Sequence, residues 1–156
     1  FRLAKLNSRL SEIDRSARIA FAEYWHFAET GIVLEPAGNE VLRRLLEYAG
    51  NPPRSALQSE LILVVPRIGT ISPWSSKATD IAHNCGLAKL ARIERGIAYW
   101  VDLQEAASET ELVQVRAALH DRMVDQVLDQ LESAQVLFSH DTPRAMSSVD
   151  VLGAGY

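Results

Sequence analysis

The chain has a single cysteine in 156 residues, so Cys85 cannot close an internal disulfide. That favours a reducing, cytoplasmic setting. The four histidines, His26, His83, His120 and His140, form no spaced ligand cluster, which argues against a metal site. No apolar run approaches the ~20 residues that span a bilayer, and the charged opening "FRLAKLNSRL" is not a signal peptide. Phosphate-binding glycine loops and dinucleotide fingerprints are missing. A formal net charge of −4 gives no electrostatic footprint for nucleic acid or an anionic membrane. What is present is an ordinary globular composition, 47% hydrophobic and 23% charged. The length allows one domain or two small halves sharing a core. The chain opens on Phe1 rather than Met, so residues are expected to precede it.

Periodicity supplies the elements. Phe1, Leu3, Leu6, Leu10 and Ile13 recur at helical spacing and predict a helix with one buried stripe. "RIAFAEYWHFAE" then alternates, with Ile19, Phe21, Trp25 and Phe27 on one face of a strand and Ala20, Ala22, Tyr24, His26 and Ala28 on the other. Beyond Gly31 and Pro36, "GNEVLRRLLEYAG" reads as a helix with Val41, Leu42, Leu45 and Leu46 on one side and Gly50 as its stop. "NPPRSALQS" is a linker. "ELILVVP" is almost wholly apolar, which predicts a central strand ended by Pro66. "ARIERGIAYWVDL" is another strand, with a bend or bulge expected at Gly96. "SETELVQVRAALHDRMVDQVLDQLE" reads as one long helix. Ser108 and Glu111 form its capping box, and Leu112, Val115, Leu119, Met123 and Val127 form its stripe. "AQVLFS" is a last short strand, and from His140 onward the chain reads as an extended tail.

A missing first strand would make the front half resemble the back half. "ARI" opens both Ala17–Ile19 and Ala91–Ile93, and "YW" follows each time, one residue later in the second copy. The expected fold is therefore a pseudo-duplicated α+β domain over residues 1–139, with halves at about 1–50 and 60–139.

The stretch "GTISPWSSKATDIAHNCG" concentrates the chemistry. Thr70 or Ser72 can cap a helix, Pro73 suits its first position, and Gly86 suits a left-handed stop. The helix would turn Ala78, Ile81, Ala82 and Cys85 inward and Ser76, Lys77, Asp80, His83 and Asn84 outward. Its first turn, with Ser75, Ser76, Lys77 and nearby Arg67, is a seat for a phosphate or carboxylate. The alternative is a well-capped helix with a Lys77–Asp80 surface ion pair. Cys85 with His83 makes no nucleophile–base pair, because residues two apart on a helix diverge. "WSSK" lacks the serine of a Ser–Lys hydrolase, and His120, Asp121 and Arg122 read as a solvated face.

These residues resemble a known family. "PRIGTISPWSSKATDIAHNCGLAKLARIERGIAYWVD", Pro66–Asp102, is similar to the region near the amino end of large single-chain formylglycinamide ribonucleotide amidotransferase, also called phosphoribosylformylglycinamidine synthase. "FAEYWHFAE", "LHDRMVDQVL" and "SSVDVLGAG" agree with it. The resemblance implies ferredoxin-like halves, mainly antiparallel sheets with helices on one face, like a dimer of the small separate subunit of multi-subunit versions. It implies a parent enzyme that uses ATP, Mg²⁺ and glutamine to convert formylglycinamide ribonucleotide to formylglycinamidine ribonucleotide. This domain would bridge the synthase and glutaminase domains, and residues 140–156 would begin the linker to the synthase. No catalytic, cofactor or metal residue is expected within the chain itself. Arg67, Thr70, Ser72, Ser75, Ser76, Lys77, Asp80 and Asn84 are the candidates for a domain interface or substrate cleft. The rival readings are a free-standing ferredoxin-like regulatory domain that senses a small anion, and a self-contained enzyme using His83, Asp80 and Lys77.

Overall fold

Thirteen residues, Leu90–Asp102, make the strand around which the protein is organised. The computed structural model describes residues 3–47, 59–103, 108–128 and 130–139. Its elements in chain order are α1 (Leu3–Ile13), β1 (Arg18–Thr30), α2 (Pro36–Leu46), β2 (Glu60–Pro66), α3 (Pro73–Asn84), β3 (Leu90–Asp102), α4 (Glu109–Leu119), β4 (Asp125–Leu128) and a 3₁₀ helix (Leu131–Phe138). The strands form one antiparallel sheet in the order β1-β3-β2-β4. The apolar "ELILVVP" segment is an inner strand, as expected. The linker, the tail from His140 and the stop at Gly50 lie outside the described residues.

Side-chain alternation on β3 sorts the core. Tyr99 and Val101 join Leu10, Ile19, Ile62, Val115 and Leu119 beneath α1 and α4. Ile93, on the same face, joins Ala82, Leu87 and Leu90 beneath α2 and α3. Ala98 and Trp100 face the other way and pack with Leu63, Val65, Leu128, Ala134 and Leu137. Phe21 and Trp25 extend that layer, their rings 5.5 and 6.0 Å from the Trp100 ring. Four α-helices therefore share one face, and the 3₁₀ helix covers part of the other.

The structure corrects four expectations. Ile19 and Phe21 do not share a face, because a bulge between them breaks the β1–β3 register. The extra residue sends Ile19 to the α1–α4 core and Phe21 to the aromatic layer. No bulge occurs at Gly96, which pairs regularly with Trp25. A Cβ on Gly96 would instead lie 2.8 Å from the Val64 carbonyl oxygen, so glycine permits the close approach of β2.

The single long helix after Ser108 is a helix, a turn and a strand. α4 keeps the expected capping box between Ser108 and Glu111 but ends at Leu119. Asp121 then closes a turn: its carbonyl accepts from Val124 N and Asp125 N, and its carboxylate accepts from Met123 N. An aspartate that bonds its own local backbone competes with helix continuation. Finally, "AQVLF" lies within the 3₁₀ helix, with Ser139 as its C-cap, and not in a strand. Ala134 and Leu137, three residues apart, point inward together as a three-residue turn requires. Arg92 anchors this helix by donating to the Leu137 carbonyl and placing its guanidinium 4.9 Å from the Phe138 ring centroid.

Candidate functional site

β3 outruns β2: their last pair is Val64 with Ile97. Backbone groups of β3 before that point need other partners, and α3 supplies them. The Ser75 hydroxyl donates to Ile93 O at 2.5 Å, and Ile93 N donates to Thr79 Oγ1 at 3.1 Å. Ser75 and Thr79 are one helical turn apart, so both hydroxyls face the strand. Both are buried. The inward side of α3 is thus Ser75, Thr79 and Ala82, while Ile81 and Cys85 are exposed. Ala82 is inward as the sequence suggested and Ala78 is half-buried, but Ile81 and Cys85 are not inward; the missed signal was the spacing of the two hydroxyls.

The start of α3 is fixed by a buried carboxylate. Ser72 is the N-cap and accepts from Ser75 N at 3.0 Å, with Pro73 following at the first position. The Ser72 hydroxyl donates to Glu94 Oε1 at 2.6 Å, and Ser72 N donates to Glu94 Oε2 at 3.3 Å. Arg95 N adds a third bond to Glu94 Oε1 at 3.0 Å. Glu94 is only 1% exposed, so these donors replace its water. Upstream, Arg67 N bonds Val124 O, while Thr70 N and its hydroxyl bond Arg67 O in a turn where Gly69 takes a φ of 78°.

Of the residues singled out from the sequence, Arg67, Thr70, Ser76, Lys77, Asp80 and Asn84 are exposed, Ser72 is half-buried and Ser75 is buried. Lys77 and Asp80 form no ion pair; the described ion pairs are Arg18–Asp102 and three within the Glu40–Glu47 turns. His83 directs Nε2 at Leu90 O, 2.7 Å away, and so secures the turn after α3 instead of serving Cys85. Among the described residues no group of three or more His, Cys, Asp or Glu side chains could hold a metal ion.

A cleft of about 320 Å³ opens beside the helix start, lined by Tyr24, Ser72, Trp74, Arg95, Tyr99 and Asp125 among others. The Arg95 guanidinium lies 4.1 Å from the Tyr24 ring centroid and 4.6 Å from that of Trp74. The guanidinium is therefore in cation–π contact with both rings. Lys77 lies outside this cleft and lines a smaller hollow of about 210 Å³ with Leu45, Leu46 and Ile81. Burial, and then the tyrosine and aspartate nearby, pushes the Tyr99 hydroxyl up to about 12. Burial raises the Asp125 carboxyl above the usual range, with the charge of Asp121 adding to it. Sequence reasoning did not find Tyr24, Glu94, Arg95 or Asp125, because no local spacing joins them.

His26 lies against this site, its ring 5.5 Å from Trp74. Burial first, and the positive charge of Arg95 second, lowers its pKa from 6.5 to about 4. A histidine held neutral in the fold contributes stability that is complete above pH 6.5 and is lost as pH falls toward 4. His26→Gln should therefore flatten the fall in stability between pH 7.5 and pH 5, read by denaturant unfolding. Parallel curves for the two proteins would contradict that assignment.

The fold and site define an α+β domain with a polar helix start and an arginine-bearing cleft. Residues 23–138 match the family model described as formylglycinamide ribonucleotide amidotransferase N-terminal. The chain belongs to that family, the amino-terminal part of an amidotransferase of purine biosynthesis. The matched residues include all of α3, β3 and the cleft. Among the described residues no helix is long and apolar enough to cross a membrane.

Proposed function

We propose that this chain is a bridging domain of an enzyme that converts formylglycinamide ribonucleotide to formylglycinamidine ribonucleotide with ATP, Mg²⁺ and glutamine. In this reading the catalytic groups belong to synthase and glutaminase domains of the same chain, and the present residues are inactive alone. The domain joins those two, shapes the ammonia route and substrate cleft, and works in the cytoplasm. Residues 1–50 and 60–139 are its related halves, and 140–156 begin the linker to the synthase. The side-by-side pairing of β1 and β3, which carry the "ARI…YW" echo, supports that duplication.

One observation carries the reading. On α3 the inward hydroxyls are committed to β3, whereas Lys77 and Asp80 are exposed and have no partner among the described residues. In this reading they and the exposed Ser76, Asn84, Arg67 and Thr70 serve a neighbouring domain. Removing one charge from a desolvated interface costs tenfold or more in coupling. Lys77→Ala in the full-length enzyme should lower kcat/KM about tenfold with glutamine and with free ammonia. Unchanged kinetics with both nitrogen sources would remove Lys77 from the interface.

A further inference from the structure

The cleft at the foot of α3 has a feature that docking of the helix does not explain. Arg95 is half-buried there, and its guanidinium has no carboxylate or carbonyl partner among the described residues. Its guanidinium carbon lies over the Tyr24 and Trp74 rings, 4.1 and 4.6 Å from their centroids. Those rings leave its in-plane N–H edge available for hydrogen bonding. That edge offers paired parallel donors, the pattern that two oxygens of one phosphate or carboxylate accept.

Its surroundings favour an anion with more than two acceptors. Trp74 N–H belongs to the first turn of α3, where Pro73 has no N–H, Ser75 N is bound to Ser72 Oγ and Ser76 N to Ser72 O. The Trp74 amide is thus the first-turn donor left without a partner in the helix. The positive end of the helix dipole lies at the same place. Glu94 is adjacent in sequence, but its carboxylate is enclosed by Ser72 and the Arg95 amide and does not reach the Arg95 side chain as an ion pair. Asp125 lines the same cleft from β4. A like charge there orients an anionic ligand toward Arg95 and weakens its binding.

The geometry points to a phosphate-binding site in this cleft, with the Arg95 edge as the main contact and the phosphate group of a small molecule as the ligand. The two charged residues then have opposite effects. Arg95→Gln removes the bidentate contact, and Asp125→Asn removes a repulsion. A lost hydrogen bond to a charged group is equivalent to roughly tenfold or more in affinity.

The test is equilibrium binding of inorganic phosphate to the full-length protein, compared among wild type, Arg95→Gln, Arg95→Lys and Asp125→Asn. The expected result is about tenfold weaker phosphate binding at this site in Arg95→Gln, partial retention in Arg95→Lys, and tighter binding in Asp125→Asn. A crystal of the full-length protein soaked in phosphate should place the anion within hydrogen-bond distance of Arg95. Identical phosphate binding in all four proteins overturns the proposal. So does weaker binding in Asp125→Asn and Arg95→Gln alike, because that pattern signals distortion of the cleft. Lys77 lies outside the cleft, so failure of this site leaves the docking of α3 untouched, and the reverse holds as well.

Discussion

Glu94→Ala is expected to lower folding stability by about 3 kcal/mol, the largest loss available from a single polar side chain here. The carboxylate is buried and accepts from Ser72 N, Ser72 Oγ and Arg95 N. Truncation leaves those donors in a space that water enters poorly. It also frees the Ser72 hydroxyl, whose orientation fixes the N-cap of α3. The damage should therefore appear twice, in global stability and in the geometry of the cleft beside the helix start. Glu94→Gln retains the shape and an acceptor oxygen, and should cost about half as much. Denaturant unfolding of the three proteins measures the difference. A loss below about 0.5 kcal/mol for the alanine variant, the range of ordinary surface changes, would mean that Glu94 does not hold the helix start.

Gly96→Ala is expected to cost about 2–3 kcal/mol through crowding alone. A β-carbon there would meet Val64 O at 2.8 Å and Val65 Cγ1 at 2.9 Å, both on the inner strand β2. Backbone oxygen cannot rotate away as a flexible side chain can, so β2 would have to slide. Positive φ does not enter, because only Gly69 and Gly86 adopt it among the described residues. Gly31→Ala is the matched control: nothing lies within 4 Å of its added carbon. That variant should stay within about 0.5 kcal/mol of wild type. Equal effects at the two glycines would contradict the close approach of β2 to β3.

Much of the architecture was legible because single periods ran unbroken. The stripe of α1, the apolar run of β2 and the Ser108–Glu111 box each declare an element within a few residues. The left-handed Gly86, with φ of 88°, closes α3 where the sequence placed its stop. Errors arose where one pattern satisfied two structures. Leu112, Val115 and Leu119 lie on a helix and Val127 on a strand, yet their spacing fits one continuous stripe. Met123, also in that stripe, is 76% exposed in the turn. Asp121 was the local clue that the helix stops. On β1 the bulge after Ile19 moved that residue to the opposite face, while Phe21, Trp25 and Phe27 kept the expected alternation.

The candidate site was half legible for a different reason. Ser72 and Pro73 declare a helix start by local chemistry, and Ser72 is indeed the cap. Ser75 looked like a surface hydroxyl because polarity alone does not reveal that β3 extends beyond β2. The Tyr24–Arg95–Trp74 stack unites residues from β1, β3 and α3. No spacing in the chain encodes such a contact; the β1–β3 register creates it.

The outward face of α3 is the central claim, and the reactivity of its lysine tests it most directly. Lys5, Lys77 and Lys89 are all exposed in this domain. In the full-length enzyme, amine labelling resolved by mass spectrometry should find Lys77 protected at least about tenfold relative to Lys5 and Lys89 if a neighbouring domain covers it. Labelling of Lys77 as fast as that of its two counterparts would show the face open to water and contradict the account.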